Sequence, residues 1–325
     1  MKFYTVVLDT LGSDKGPAMA AKGAAMALER YQDLKIVLSG DEEFLRSEMN
    51  SHGADPERVA YINAPDAITN YDNPATAIFS KRDSSLVKAL EAVSTNDEYV
   101  GLVNAGSTGA LLVGTLRYLA TPDMKRPALA AVLPAENGGI TALVDTGANV
   151  DCTPQMLLHF AYLGKDFMQT LYRVENPRIG ILSNGKEKGK GNKLVKEAYE
   201  LLENVGDLNF VGNIEGNVAL AGECDVLVCD GFAGNQILKN TEGVARRIIK
   251  DIVVYSKKTG NESLMEVVGH LMKLYDFNSQ GGGVILGAKK PVVKAHGAAN
   301  EMSIVSTVGM VLNLAKNKTV FDEIH

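Results

Sequence analysis

Short runs of β-branched and other apolar residues alternate with longer helical patterns along most of the chain. The predicted strands are residues 3–8, 35–39, 59–62, 100–103, 128–133, 140–144, 178–182, 208–211 and 226–229. The predicted helices are residues 18–31, 42–50, 74–92, 109–120, 154–173, 193–204, 236–255, 264–275 and 299–315. Several strands are continuously apolar, as expected when helices cover both faces of a sheet. The alternation therefore predicts a three-layer α/β fold around a mainly parallel, twisted sheet.

No internal repeat, low-complexity tract or linker interrupts this pattern. We therefore expect residues 1–325 to form a single α/β unit rather than a string of separate domains. The expected unit has two lobes around a cleft, with a helical excursion near residues 244–280.

Composition narrows the class of protein. Hydrophobic residues make up 46% of the chain and charged residues 22%, which is typical of a globular protein and argues against disorder. The formal charge of −6 argues against nucleic acid as a partner. Three cysteines without metal-ligand spacing suit a reducing compartment. With no signal pattern and no apolar stretch of about 20 residues, we expect a cytoplasmic protein.

The loops that follow the apolar strands share a composition of small residues, Asp or Asn, and glycine. They are residues 9–14, 104–109, 145–149, 183–192 and 230–235. In a parallel sheet, ligands bind at the carboxyl ends of the strands, where such loops gather. One such loop is an ordinary turn, but the repetition suggests a common site lined by backbone amides.

Two of these loops favour an anion. Loop 104–109 leads into a helix, where free amides and the helix dipole attract negative charge, although an ordinary helix cap has the same composition. Segment 186–192 is rich in glycine and lysine, but its spacing is not that of a Walker A loop. A solvated loop is the alternative. The sequence therefore predicts an α/β protein with an anion-binding cleft.

Other motifs are weak. Glycines at 281–287 faintly resemble a dinucleotide fingerprint, but they follow a helix, so we predict a flexible turn there. A Ser-His-Asp triad cannot be argued from spacing, and neither an HExxH motif nor a clustered Cys/His set is present. We expect no cofactor and no metal.

Six sequence blocks together closely resemble the PlsX family of acyl-acyl-carrier-protein:phosphate acyltransferases. They are KRDSS at 81–85, NAGSTGA at 104–110, DTGANVDC at 145–152, KGN at 190–192, CDGFAGN at 229–235 and KAHG at 294–297. The blocks keep the family's order and spread over essentially the whole chain.

The resemblance implies transfer of a fatty acyl group from acyl-carrier-protein to inorganic phosphate. The product, acyl phosphate, would feed a downstream glycerol-3-phosphate acyltransferase in phospholipid synthesis. The resemblance also implies a fold like that of isocitrate and isopropylmalate dehydrogenases, a homodimer, and peripheral contact with the inner membrane surface.

The family motifs imply that Lys190 and Asn235 form the catalytic pair. We expect Lys190 to hold phosphate and to stabilise the oxyanion, with Asn235 as a second donor. The expected substrate and phosphate site comprises Asn104, Gly106, Ser107, Thr108, Gly109, Asp145, Asn149, Asn192, Asp230 and His296.

The chain departs from the family in places. The opening motif lacks a histidine at 9–17, and Lys186 and Lys188 stand where acidic residues are usual. The middle of region 244–280 is more polar than the apolar tip typical of the family. Its apolar positions would face a membrane, an acyl chain, a dimer partner or the core; they are Ile252, Val253, Val254, Leu264, Val267 and Val268.

Three alternatives stay open. The nearest is a phosphotransacetylase-like enzyme that uses an acyl-coenzyme A thioester. A nicotinamide-dependent dehydrogenase of similar fold lacks support because no convincing dinucleotide fingerprint is present. A non-catalytic scaffold that binds acyl-carrier-protein would not need to keep Lys190 and Asn235.

Overall fold

The computed structural model describes residues 2–121, 126–136, 138–275, 282–295 and 299–324, with side chains of the last helix described to residue 317. The strands are β1 (Tyr4–Asp9), β2 (Leu34–Gly40), β3 (Val59–Asn63), β4 (Tyr99–Asn104), β5 (Ala128–Pro134), β6 (Ile140–Val144), β7 (Arg178–Ser183), β8 (Asn209–Glu215), β9 (Val226–Val228), β10 (Gly283–Leu286) and β11 (Val292–Lys294). The α-helices are α1 (Gly16–Arg30), α2 (Glu42–Ser51), α3 (Pro74–Ser80), α4 (Ser85–Thr95), α5 (Thr108–Tyr118), α6 (Pro154–Tyr172), α7 (Lys193–Glu203), α8 (Gly231–Thr259), α9 (Leu264–Leu274) and α10 (Glu301–Ile324).

The chain forms two compact units. The first contains residues 1–129, 170–173 and 280–325. Its strands lie in the order β3-β2-β1-β4-β11-β10, all parallel except β10, which runs antiparallel to β11. Helices α1 and α10 pack closely, because Gly23 brings the α1 backbone against the Ile304 side chain. Val6, Val7 and Leu8 of β1 are completely buried.

The second unit contains residues 130–169 and 174–279. Its strands lie in the order β5-β6-β9-β7-β8, and only β5 is antiparallel to its neighbour. Leu143 of β6 and Leu227 of β9 are buried in one core cluster with Ile214 of β8. This arrangement confirms the predicted α/β class with a mainly parallel sheet.

The predicted helix over 74–92 is wrong as a single element. Helix α3 ends at Ser80 and α4 begins at Ser85. The backbone N–H of Ser85 donates to the carbonyl of Asp66, 2.8 Å away, instead of to a preceding helical turn. This bond to a distant segment separates the two helices, and local sequence does not reveal it.

The predicted turn at 281–287 is also wrong over the residues described there. Gly283–Leu286 form strand β10, whose residues Val284 and Ile285 are buried and pair with β11. Both strands are very short, so their periodicity is too brief to register in the sequence pattern. Gly281 lies outside the described residues.

Candidate active site

The loops of the second unit that carry the family motifs leave the same edge of its sheet. Strand β9 lies between β6 and β7 and is parallel to both. Residues 145–149 follow β6, residues 230–235 follow β9, and residues 183–192 lie at the end of β7 and after it. Because parallel strands end at a common edge, Lys190, Asn235 and Asp145 are carried by neighbouring strands at that edge.

Lys190 lies on an exposed turn whose backbone is held by specific hydrogen bonds. The backbone N–H of Lys190 donates to the carbonyl of Glu187 at 2.9 Å. The N–H of Gly191 donates to Asn184 Oδ1 at 2.7 Å. Gly191 has a φ of 101°, and a Cβ there would lie 2.5 Å from Val195 Cγ1, so only glycine suits this position. Asn192 then caps helix α7 by accepting a bond from Val195 N–H at 2.9 Å.

The two additional lysines of this segment form ion pairs with glutamates. Lys186 Nζ lies 2.9 Å from Glu223 Oε1, and Lys188 forms an ion pair with Glu203. Among the residues that the structure describes, no ion pair involves Lys190. Two of the three lysine charges are therefore compensated locally, and the Lys190 ammonium is the one available to an anion.

The Asp145 carboxylate organises its own loop. It accepts hydrogen bonds from the backbone N–H groups of Gly147, Ala148 and Asn149, at 3.2, 3.0 and 2.6 Å. It also accepts a bond from the Asn149 side-chain amide at 2.9 Å. Asp145 and Asn149 are both buried. They fix the loop backbone rather than presenting free groups to solvent.

The prediction that residues 230–235 form a loop is wrong. They form the N-cap and the first turns of helix α8. Asp230 is the N-cap and accepts a bond from Ala233 N–H at 2.8 Å. A Cβ at Gly147 would lie 3.9 Å from Asn235 Oδ1, so the Asn235 amide packs beside the Asp145 loop. The structure thus brings the predicted residues Asp145, Asn149 and Asn235 together.

Two cysteines near this loop have raised pKa values, which disfavours the reactive thiolate. Burial, aided by the charge of Asp145, raises the pKa of Cys152 to about 12. Burial also raises the pKa of Cys229 well above its usual value. Both thiols therefore stay protonated at neutral pH, and a protonated thiol attacks carbonyl carbon poorly.

A second cluster lies at the strand ends of the first unit. Asp9 of β1 and Lys294 of β11 both pair in register with Asn104 of the intervening β4. Asn104 Nδ2 donates to Asp9 Oδ2 at 2.6 Å, and Asn104 Oδ1 accepts a bond from Gly106 N–H at 3.0 Å. The Lys294 ammonium donates to the carbonyl of Ala295. All three side chains are buried.

Burial shifts the pKa values of both charged groups of this cluster. It raises the pKa of Asp9 to about 6, although bonds from Ser85, Leu11 and Asn104 act in the opposite direction. It lowers the pKa of Lys294 to about 8, opposed by the negative charges of Asp14 and Asp9. Neither Asp9 nor Lys294 is among the predicted site residues, although Asp9 begins loop 9–14 and Lys294 begins the KAHG block.

Loop 104–109 has the predicted form of a strand end followed by a helix cap. Ser107 caps α5 by accepting a bond from Ala110 N–H at 3.5 Å, and Thr108 is the first helical residue. A Cβ at Gly109 would come within 2.7 Å of the Pro74 side chain. Gly109 therefore allows α3 and α5 to pack closely. The predicted site residue His296 lies outside the described residues.

Helices α8 and α9 occupy most of the region near residues 244–280. Val268 is buried, whereas Val254 and Val267 are 56% and 45% exposed, so the apolar positions are divided between core and surface. A cavity of about 290 Å³ lies beside these helices. It is lined by Leu220, Asn240, Thr241, Val244, Ala245, Ile248, Ile249, Leu271 and Tyr275. No helix in the described part of the chain is long and apolar enough to cross a bilayer.

Sequence comparison gives a consistent family. Residues 4–320 match the model of a family described as fatty acid synthesis protein. A phosphate acyltransferase of Halothermothrix orenii is 40% identical over 314 residues, covering 93% of this chain and 92% of that protein. A putative phosphate acyltransferase of Clostridium perfringens is 38% identical and covers 97% of this chain and 94% of its own.

Structural comparison supports the fold. A phosphotransacetylase from Streptococcus pyogenes superposes with a TM-score of 0.65 at 17% identity, over 98% of this chain and 94% of that one. A 4-hydroxythreonine-4-phosphate dehydrogenase from Klebsiella pneumoniae superposes with a TM-score of 0.52 at 13% identity, over 96% and 98%. At such low identity the likeness concerns the fold alone.

Proposed function

The chain belongs to the PlsX family of phosphate acyltransferases, and from this membership we propose that it moves a fatty acyl group from acyl-carrier-protein to inorganic phosphate, with Lys190 and Asn235 as the catalytic pair. It is an enzyme of acyl transfer to phosphate in phospholipid synthesis.

The proposed step needs electrostatic stabilisation more than a base. An oxygen of hydrogen phosphate attacks the thioester carbonyl carbon, a C–O bond forms and the C–S bond breaks. The proton of the hydrogen phosphate passes to the departing sulfur, so the carrier leaves as a thiol. Phosphate is already anionic at neutral pH, so positioning it lowers the barrier more than deprotonating it would. The negative charge that develops on the carbonyl oxygen needs hydrogen-bond donors.

The observation that best supports the proposed residue roles is that Lys190 is exposed while its two neighbouring lysines form ion pairs. Its ammonium is exposed on a fixed turn, while Lys186 and Lys188 beside it are engaged by glutamates. Lys190 would hold phosphate and stabilise the oxyanion, and the Asn235 amide would be the second donor. Asp145 and Asn149 support this role by ordering the loop against which Asn235 packs.

The remaining predicted residues have supporting roles. The capped loop of the first unit would offer backbone amides to an anion; its residues are Asn104, Gly106, Ser107, Thr108 and Gly109. Asn192 and Asp230 would act through the helices that they cap. We also propose that His296 contributes to the site, that the protein is a cytoplasmic homodimer, and that it contacts the inner membrane surface peripherally.

Lys190→Ala tests the assignment. We expect a loss of roughly 100- to 1,000-fold in turnover, the usual effect of removing one oxyanion donor. The measurement is phosphate-dependent thiol release from acyl-carrier-protein thioesters of several chain lengths. Lys186→Ala is the matched control, because that lysine belongs to the same segment but forms an ion pair with Glu223. Near-normal turnover in Lys190→Ala would contradict the assignment.

The same assay tests the donor. Acyl-carrier-protein and coenzyme A thioesters of one acyl chain are compared at equal phosphate. A higher kcat/KM with the coenzyme A thioester would contradict the carrier protein as donor. It would favour the alternative of a phosphotransacetylase-like enzyme. Binding of acyl-carrier-protein without thiol release from either donor would favour the scaffold alternative.

A further inference from the structure

A buried asparagine supports the lysine turn from the neighbouring strand. Asn213 lies on β8, is only 5% exposed, and donates its side-chain amide to the carbonyl of Glu187 at 2.8 Å. The same carbonyl accepts the backbone N–H of Lys190 at 2.9 Å. One backbone oxygen thus joins the Asn213 side chain to the backbone of Lys190.

We propose that Asn213 is a positioning residue for Lys190, acting through the Glu187 carbonyl to fix the turn that presents the catalytic ammonium. This inference rests on the proposed function of Lys190. Asn184 holds the other end of the turn through Gly191 N–H. The turn is therefore anchored on both sides by asparagine side chains, and only the Asn213 anchor is buried.

The hydrogen bonds of Asn213 suit a functional role better than a purely structural one. Asn213 Oδ1 is buried and has no hydrogen-bond partner among the residues that the structure describes, and the same is true of Ser183 Oγ. Asn213 pairs in register with Ile181 of β7, two residues before Ser183, so both side chains lie on the same face of the sheet. An unsatisfied buried acceptor costs stability, so the Oδ1 atom gives the fold no advantage over an apolar side chain at this position.

Removing this side chain should therefore separate activity from stability. An apolar residue at 213 eliminates the unsatisfied oxygen, and the Glu187 carbonyl keeps its bond from Lys190 N–H. The fold loses little, whereas the turn loses its buried anchor. Small displacements of a catalytic group lower rates strongly, because orientation is part of the barrier.

The test uses Asn213→Ala together with Asn213→Leu, which fills the space without offering a donor. We expect kcat for thiol release to fall roughly 10- to 100-fold, with KM for the acyl donor little changed. We expect the thermal midpoint to shift by no more than about 4 °C. Asn209→Ala is the matched control: Asn209 lies on the same strand and donates to the carbonyl of Asn176 at 3.2 Å, and its loss should leave kcat unchanged.

A double-mutant cycle shows whether Asn213 acts through Lys190. In a Lys190→Ala background, Asn213→Ala should lower the residual rate no further, because the group that it positions is absent. Wild-type kcat in both Asn213 variants would overturn the inference. A loss of equal size in the two backgrounds would also overturn it, because Asn213 would then act independently of Lys190.

Amide hydrogen exchange separates this inference from the proposed function. Exchange in the peptide containing residues 184–192 should be faster in Asn213→Ala and unchanged in Asn209→Ala, whatever the activity. Unchanged exchange in Asn213→Ala would refute the anchoring by itself. Full turnover in Lys190→Ala would instead refute the catalytic assignment, and with it the functional consequence of the anchor.

Discussion

Asp9 and Lys294 are oppositely charged residues that are buried at the strand ends of the first unit. Asp9 lies on β1 and Lys294 on β11, and Asn104 of β4 lies between them. Burying charge is costly, so each group shifts toward its neutral form. The Asn104 amide links Asp9 to the backbone of Gly106, and so to the loop that we propose binds an anion. A change in the charge of Asp9 or Lys294 should therefore alter the hydrogen bonds that hold the backbone of that loop.

Asp9→Asn should change how stability depends on pH. The folded-state pKa of Asp9 is about 6, above its ordinary value of 3.8, so between these values the folded protein holds a proton that the unfolded chain has lost. The stabilisation from Asp9 is thus complete below pH 3.8 and is lost as the pH rises through 6. The loss amounts to roughly 3 kcal/mol at most.

Urea unfolding of wild type and Asp9→Asn across this pH range measures the effect. The wild-type free energy of unfolding should fall with pH relative to that of the variant. Parallel curves would show that Asp9 titrates normally in the folded protein.

At the scale of elements, helix α8 is central to the second unit because its first turns lie against the Asp145 loop. Gly231 and Gly234 allow this approach. A Cβ at Gly231 would lie 2.7 Å from the carbonyl oxygen of Asn149, and one at Gly234 would overlap the carbonyl oxygen of Asp145. Backbone oxygens held in a hydrogen-bonded loop cannot move aside easily. The glycines of this motif are therefore required for packing, apart from any contact with substrate.

Gly234→Ala should destabilise the protein by roughly 3 kcal/mol or more and lower turnover, because overpacking against backbone displaces either the helix or the loop. Gly243→Ala in the same helix is the control. No atom of the described residues lies within 4 Å of a Cβ there, so alanine should stabilise the helix by roughly 0.5–1 kcal/mol. Chemical denaturation of both variants measures the difference, and equal stabilities would contradict the packing argument.

At the scale of the whole molecule, a net charge of −6 coexists with a local concentration of basic residues on α8. Arg246, Lys250, Lys257 and Lys258 are exposed, whereas Arg247 forms an ion pair with Asp251 at 2.8 Å. A basic surface on an acidic protein steers an acidic partner to one place. Acyl-carrier-protein is acidic, so this surface is the docking site that we expect for it.

Reversing the charges of Arg246 and Lys250 to Glu should raise KM for the acyl-carrier-protein substrate roughly tenfold at low salt, with kcat retained. The difference from wild type should shrink as salt screens the charges. Reversing Lys22 and Lys88, which lie on helices of the first unit, is the control for net charge. A KM that does not depend on salt in either protein would rule out electrostatic docking.

The fold class and most of the strand-end loops follow from the sequence alone, whereas residues 230–235 form the start of helix α8 instead of the predicted loop. Hydrophobic periodicity and strand-end composition are local properties, so β1, β6 and β7 lie where they were predicted to within a residue. The Ser107 and Asn192 caps also follow from local chemistry. The family motifs identified Lys190 and Asn235 as candidates from the residues alone.

Features that depend on residues far apart in the chain follow only from the three-dimensional fold. The division of 74–92 into two helices depends on Asp66, and β10 exists because β11 pairs with it. Three further contacts also join residues distant in sequence: the ion pair of Lys186 with Glu223, the alignment of Asp9 with Lys294 across β4, and the hydrogen bond from Asn213 to Glu187. Such contacts are set by strand order and register, and no local window of sequence contains both partners.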